Sequence, residues 1–182
     1  CYMGTTVIYD TPSYQNTQIV EDSSRKPLTY YGIQKLAGEQ IVTGMSNKWS
    51  VVRPLFAFGD EGDMNSLIAK SIYASLQNKE AVDIFLDPTK IKDYLHVSDY
   101  CEAVCMICEN SNGWGTDWNV SAETPHTAEE IVRFVSRTVG KNVEKIVRWY
   151  PKTDYLGNHR LSSAKVRSKI GWLPKLDLEE GI

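Results

Sequence analysis

The stretch TYYGIQKLAGEQ, residues 29–40, holds a tyrosine followed four positions later by a lysine, Tyr31 and Lys35. Residues four apart on a helix share a face, so a phenol and an ammonium can be presented to one site. A free phenol, with a pKa of about 10, is a poor base at neutral pH. A neighbouring cation favours the phenolate, and the pair can then take a proton from a hydroxyl or return one. Tyr30 has no basic residue four positions on, which leaves Tyr31 as the candidate. The spacing by itself occurs in many ordinary helices, so its meaning depends on the elements around it.

Those elements alternate. Residues 2–8 read as the end of a buried strand, followed by a polar 19-residue loop, 9–27, punctuated by Pro12 and Pro27. Residues 28–45 have helical periodicity, with Ile33, Leu36, Ala37 and Ile41 on one side. Strand-like runs at 49–54, 81–86, 93–97, 117–121 and 143–149 are interspersed with helical ones at 65–77, 99–108, 127–139 and 162–170. The helix at 127 opens on Thr127 with Glu130 three residues later, a capping box. The last helix is stopped by Gly171 and Pro174. Alternation of this kind predicts an α/β fold with a parallel sheet. The long 9–27 loop predicts a functional role, since structureless loops of that length are uncommon in compact domains.

The bulk composition narrows the class. The 182 residues carry a net charge of −3 with no basic block, which argues against a nucleic-acid or anionic-membrane partner. No apolar run approaches the ~18 residues of a membrane span, and no signal-peptide pattern is present. Four cysteines, three of them in CEAVCMIC, do not form a secreted disulfide framework, so the cytoplasm is the expected compartment. The chain starts CYMGTTVIYD without an initiator Met and ends LEEGI, which reads as the opening of a helix. Both ends are expected to be cut from a longer polypeptide.

Six stretches, in order and with matching spacing, resemble the nucleotide-sugar epimerase/dehydratase family of the extended short-chain dehydrogenase/reductase superfamily. They are GTTVIYD, TYYGIQKLAGEQ, SVVRPLFAFGD, KIKDYLHVSDYCEAV, TDWNVSAETPHTAEEIV and SSAKVRSKIGWLPKLDLEEGI, and together they cover nearly the whole chain. The resemblance implies the C-terminal part of a Rossmann-like doubly wound parallel sheet with a smaller, interleaved substrate domain. Residues 1–60 and 93–121 would belong to the dinucleotide-binding part, and 61–92 and 122–182 to the nucleotide-sugar part. It also implies NAD or NADP as cofactor, a nucleotide-diphosphate sugar as substrate, and a homodimer of the full-length protein. The resemblance begins near the family's fifth strand. The glycine-rich phosphate loop, which in Rossmann folds holds the pyrophosphate at a helix N-terminus, is therefore expected upstream of Cys1.

Carried over position by position, the resemblance makes Thr5, Tyr31 and Lys35 the catalytic hydroxyl, the acid/base and the lysine that binds the nicotinamide ribose and favours the phenolate. Pro54 falls at a cofactor-binding position. Thr6, Phe56, Asn65, Leu67, Lys92 and Asp154 fall at substrate positions. Several depart from the family pattern. Phe56 replaces an asparagine that touches substrate, and Asp60 replaces a proline. Lys92 replaces an arginine, giving a point charge where the family has a bidentate fork. Pro151 stands at a second phosphate-binding arginine, with Arg148 or Lys152 as possible substitutes, and Ser162 stands at an aspartate.

Two absences narrow the reaction. Sugar 4,6-dehydratases of the family carry Asp-Glu directly after the catalytic Thr, and fucose-synthase-like enzymes carry a cysteine where Val7 stands. Here those places hold Thr6 and Val7. The reading that remains is C4 epimerisation through a 4-keto sugar. The alternatives are reduction of a keto sugar, or a non-catalytic dinucleotide binder of the superfamily.

The other motifs carry less. Cys101, Cys105 and Cys108 have the CxxxCxxC spacing of an iron–sulfur loop, but they fall in a helical run and read as a buried core stripe. GWGTDW, 113–118, lacks the last glycine of a dinucleotide fingerprint and reads as a turn before a strand. His96, His126 and His159 lack metal-ligand spacing, and no metal is expected. Asn119-Val-Ser121 matches a glycosylation acceptor but lies in a predicted buried strand.

Overall fold

The computed structural model describes residues 1–10, 17–59, 66–151, 158 and 160–182. Three short strands form the first sheet: β1 (Tyr2–Met3), β2 (Ser50–Pro54) and β6 (Thr116–Val120). Their order is β1-β2-β6, all parallel, with Tyr2 opposite Val51 and Val52 opposite Trp118. A second sheet pairs β3 (Phe56–Phe58) in parallel with β5 (Ile91–His96), which pairs antiparallel with β7 (Pro125–Thr127). A third joins β4 (Val82–Ile84) to β8 (Val147–Trp149) in parallel. The helices are α1 (Tyr30–Met45), α2 (Leu67–Leu76), α3 (Val97–Glu109), α4 (Ala128–Thr138) and α5 (Ala164–Ile170). Parallel strands joined through helices make this the α/β fold that the alternating pattern predicts.

Two of the three apolar clusters among the described residues hold these layers. One packs Val52, Leu95, Ala103, Ile107, Trp118 and Trp172 between the first sheet, α3 and α5. The other packs Phe58, Ile68, Ile84, Tyr94, Ile131 and Val135 between the smaller sheets, α2 and α4. The capping box at α4 is present: Thr127 Oγ1 accepts from the Glu130 N–H at 3.2 Å, and Glu130 Oε2 accepts from the Thr127 N–H at 2.7 Å.

The structure corrects several expectations. Strand pairing at the chain's start stops at Met3, and residues Thr6–Ile8 form a 3-10 turn with Thr5 as its N-cap. The run expected as a strand at 143–149 opens with a 3-10 turn, Val143–Lys145, before β8. The C-terminal LEEGI closes as a turn rather than opening a helix. The cysteines of α3 are exposed. The buried residues of α3 are Asp99, Ala103 and Ile107, spaced four apart. Cys101 and Cys105, each two positions from that stripe, point to the opposite side of the helix.

The largest correction concerns α1. Its buried residues are Gly32 and Glu39, while Ile33 and Ile41 are exposed. The inward stripe is therefore 32, 35, 36 and 39, with Lys35 and Leu36 half-buried between two anchors. The first anchor is steric. A Cβ on Gly32 would lie 2.8 Å from the Val7 carbonyl oxygen and 2.9 Å from Pro27 Cβ, so only glycine lets the helix approach the segment after β1 this closely. Gly32→Ala is expected to cost about 1–3 kcal/mol through overpacking, read as a lower urea midpoint. An unchanged midpoint would show that the helix can move outward freely.

The second anchor is ionic. Glu39 and Arg53 of β2 are both almost wholly buried. Arg53 donates from Nε and Nη2 to the two oxygens of Glu39 at 2.9 and 2.8 Å, the bidentate geometry that suits a guanidinium. Arg53 Nη2 also lies 2.7 Å from Asp117 Oδ2, and Nη1 donates to the Tyr9 hydroxyl at 2.7 Å. Tyr9 in turn donates to Asn119 Oδ1 at 2.8 Å. Burial works against the Arg53 charge, but Glu39, Tyr9 and Asp117 outweigh it and raise the guanidinium above its ordinary value. Burial also works against the Asp117 charge, yet Arg53, Lys165 and Arg25 hold that carboxyl below its ordinary value. Burial pushes the Tyr9 phenol up to about 12, so it stays a neutral donor in this network.

A second buried carboxylate behaves differently. Asp93 of β5 accepts hydrogen bonds from the Ser121 hydroxyl and from the Glu123 N–H, the latter at 3.0 Å. Glu123 sits at a positive φ of 60°, and its carboxylate receives the Ser163 N–H and pairs with Arg167 at 3.0 Å. Burial pushes the Asp93 carboxyl up to about 6. An acid that holds its proton more tightly when folded adds stability below its unfolded value of about 4. That stability is lost as pH rises from about 4 through about 6. Asp93→Asn, which cannot ionise, is expected to flatten this part of the curve of urea midpoint against pH. Parallel curves for the two proteins would contradict the assignment.

Candidate active site

The carboxyl ends of β1, β2 and β6 lie together because the strands are parallel. In open α/β sheets this is the edge where ligands bind. Thr5 follows β1, Pro54 closes β2, and the N-terminal turn of α1 is pressed onto the Val7 carbonyl through Gly32. Thr29 fixes where that turn begins, because its Oγ1 accepts from the Gly32 N–H at 3.1 Å.

Tyr31 is half-exposed (51%) on the edge of α1, and Lys35 lies one turn on. The Lys35 ammonium is 5.8 Å from the Tyr31 ring centroid and donates to the Met3 carbonyl at 2.9 Å. Thr5 is buried, and its Oγ1 accepts from the Val7 N–H at 3.4 Å, which leaves the hydroxyl proton for another acceptor. A phenol, an ammonium and a hydroxyl are thus carried on two segments in contact. Chemically, such a set can exchange a proton with an alcohol and steady charge on its oxygen.

On this edge Lys35 offers an ammonium, with the Tyr31 ring 5.8 Å away and Pro54 at the end of β2, donor chemistry of the kind a ribose hydroxyl could accept from. The sequence holds no glycine-rich phosphate loop.

The expected substrate residues are more dispersed. Thr6 and Leu67 are buried, Thr6 in the turn after β1 and Leu67 at the start of α2. Phe56 of β3 packs on Tyr94 with ring centroids 5.6 Å apart. Lys92 of β5 is buried, its Nζ 5.4 Å from the Phe56 ring. Phe56 and Lys92 are thus brought into contact. Arg148 is exposed in β8. Asn65, Lys152 and Asp154 lie outside the described residues.

Sequence reasoning missed the residues that hold the site. Arg53 and Glu39 were legible as motif letters, but their pairing across the helix–sheet interface was not. Tyr2 carries no signal beyond its place in a strand, although its ring lies 5.3 Å from Lys35 Nζ. The available signal was Gly38, three residues after Lys35 in the middle of a helix, where a glycine is costly without a packing reason.

The model of the NAD dependent epimerase/dehydratase family matches residues 1–121. UDP-glucose 4-epimerase of Mycolicibacterium smegmatis is 25% identical over 185 residues, covering 96% of this chain and 56% of that protein. The crystal structure of dTDP-glucose 4,6-dehydratase from Bacillus anthracis in complex with NAD superposes with a TM-score of 0.87 at 20% identity, covering 98% of this chain and 57% of that one. RMD from Pseudomonas aeruginosa, complexed with NADPH, gives a TM-score of 0.87 at 20% identity and covers 99% of this chain and 62% of its own. This chain spans about half the length of the curated relatives it matches, from 49% to 59%. Among the described residues, no helix is long and apolar enough to cross a membrane.

Proposed function

The chain belongs to the NAD dependent epimerase/dehydratase family, and from that premise we propose that it carries the acid–base machinery of a nucleotide-sugar epimerase acting at C4 of the sugar. The observation that carries this reading is the Lys35 ammonium held 5.8 Å from the ring of the half-exposed Tyr31, on a helix pressed through Gly32 onto the turn that Thr5 opens. Tyr31 takes the proton of the sugar 4-hydroxyl and later returns it. Lys35 holds its ammonium near the Tyr31 ring and donates to the ribose of the nicotinamide nucleoside. Thr5 donates its hydroxyl proton toward the reacting oxygen and steadies the charge that develops there. A bound nicotinamide dinucleotide, inferred to be NAD, supplies the hydride acceptor and donor.

Thr6 and Val7 stand where the dehydratases carry an acid–base pair, so no group at those positions promotes loss of water. The substrate is a nucleotide-diphosphate sugar, with Lys92, Asn65, Leu67, Asp154, Thr6 and Phe56 as its contacts. Residues 1–60 and 93–121 form the dinucleotide side, and 61–92 and 122–182 the sugar side. The outward apolar residues of α1, Tyr30, Ile33, Ile41 and Met45, are exposed and suit pairing with a second copy. The cytoplasm is the compartment this reading implies.

The test uses the full-length gene product with UDP-glucose and, separately, dTDP-glucose, plus NAD, with the product identified by NMR. A sugar inverted at C4 is the expected outcome. A 6-deoxy-4-keto product would overturn the reading in favour of a dehydratase. Stoichiometric consumption of NAD(P)H with a keto sugar, without epimerisation, would overturn it in favour of a reductase.

A further inference from the structure

Tyr2 lies across the inward side of α1. Its hydroxyl donates to the Lys35 carbonyl at 3.4 Å, and its ring is 5.3 Å from the Lys35 ammonium. Gly38 makes the space for it: a Cβ there would lie 2.2 Å from the Tyr2 hydroxyl oxygen and 2.7 Å from Cζ. The phenol is therefore seated against the helix at residues 35 and 38, one turn apart on the same face. The ammonium of Lys35 has a second ring 5.8 Å away in Tyr31, and its hydrogen bond to the Met3 carbonyl comes from the residue next to Tyr2.

We propose that Tyr2 is a positioning residue for Lys35. Its ring and that of Tyr31, 5.3 and 5.8 Å from the ammonium, form a two-ring cradle that restrains it. A lysine on a flexible four-carbon stem loses much rotamer freedom when held in one place. A single hydrogen bond and one ring contact at a half-exposed site are weak restraints, and a second ring within about 6 Å adds an attraction that does not depend on the exact approach of the ammonium. Gly38 belongs to the same device, because any larger residue would push the Tyr2 ring off the helix. What the held ammonium serves rests on the proposed epimerase reading; the cradle itself does not.

The test is competitive acetylation of the full-length protein with trace acetic anhydride, reading Lys35 against the exposed Lys26 by mass spectrometry. Four proteins are compared: wild type, Tyr2→Leu, Tyr2→Phe and Gly38→Ala. Tyr2→Leu and Gly38→Ala are expected to raise the relative acetylation of Lys35 by about two- to fivefold, the range set by loss of one cation–π contact. Tyr2→Phe keeps the ring and is expected to match wild type. In the turnover assay the same two variants should raise KM for the dinucleotide, with Tyr2→Phe restoring it. Equal acetylation of Lys35 in all four proteins would overturn the proposal. If Tyr2→Leu does not fold, the contrast between Gly38→Ala and Tyr2→Phe decides it in the same way. If the wild type turns over no nucleotide sugar, the functional reading fails while the acetylation contrast still decides the cradle.

Discussion

Tyr31→Phe in the full-length protein is expected to lower kcat about 10²- to 10⁴-fold, the usual contribution of a positioned acid–base group. The melting temperature should stay within a degree or two of wild type, since surface changes away from packed features usually cost within about 0.5 kcal/mol. The Tyr31 ring is half-exposed, and removing one hydroxyl leaves its contact with Lys35 in place, because a cation is drawn to the ring face and not to the oxygen. The substitution therefore removes the titrating oxygen and little else. Tyr30→Phe is the control. That residue is far more exposed and has no lysine one turn on, so its activity should match wild type. Loss of activity in both variants, or in Tyr30→Phe alone, would move the acid–base role away from Tyr31.

The second large effect lies in the core. Arg53→Met leaves the carboxylate of Glu39 buried without its bidentate partner and takes one cation from Asp117. Breaking a buried ion pair from one side typically costs about 3–5 kcal/mol, because the remaining charge stays desolvated. With a urea slope of about 1–3 kcal/mol per molar, the midpoint should fall by about 1 M or more. The double variant Arg53→Met/Glu39→Leu is expected to recover part of that loss, since it removes the stranded charge along with its partner. A double variant no more stable than the single one would show that the charge at Glu39 is not what destabilises the protein. Activity should fall with stability in the single variant, because Glu39 and Gly32 are the buried contacts of the helix that carries Tyr31 and Lys35.

The alternation of strands and helices was legible from local patterns, and so was the capping box of α4, because Thr127 and Glu130 act within one turn. The candidate triad rests on a different kind of signal: its residue types sit at fixed spacings within recognisable segments. What the sequence did not reveal were the contacts that depend on which face of a helix turns inward. On α1 the apolar residues Ile33 and Ile41 suggested one face, but a glycine and a glutamate were buried instead, since Gly32 allows close approach and Arg53 neutralises Glu39. On α3 the three cysteines looked like a core stripe, yet the inward line runs through Asp99, Ala103 and Ile107. In both cases hydrophobicity was a weaker guide than a specific partner on a strand far away in sequence. The contact of Tyr2 with α1 was illegible for the same reason, since it depends on the space left by Gly38 in an element that Tyr2 precedes by dozens of residues.

In the proposed function Tyr31, Lys35 and Thr5 serve removal and return of hydrogen at C4 of a nucleotide sugar. The most direct test incubates the full-length protein with UDP-glucose or dTDP-glucose deuterated at C4 and follows the label by NMR. Deuterium is expected to stay on C4 in the epimerised product, without exchange with solvent, and Tyr31→Phe to slow the inversion by about 10²- to 10⁴-fold. Deuterium found at C6 of a deoxy-keto sugar, or inversion undiminished in Tyr31→Phe, would contradict the proposed function.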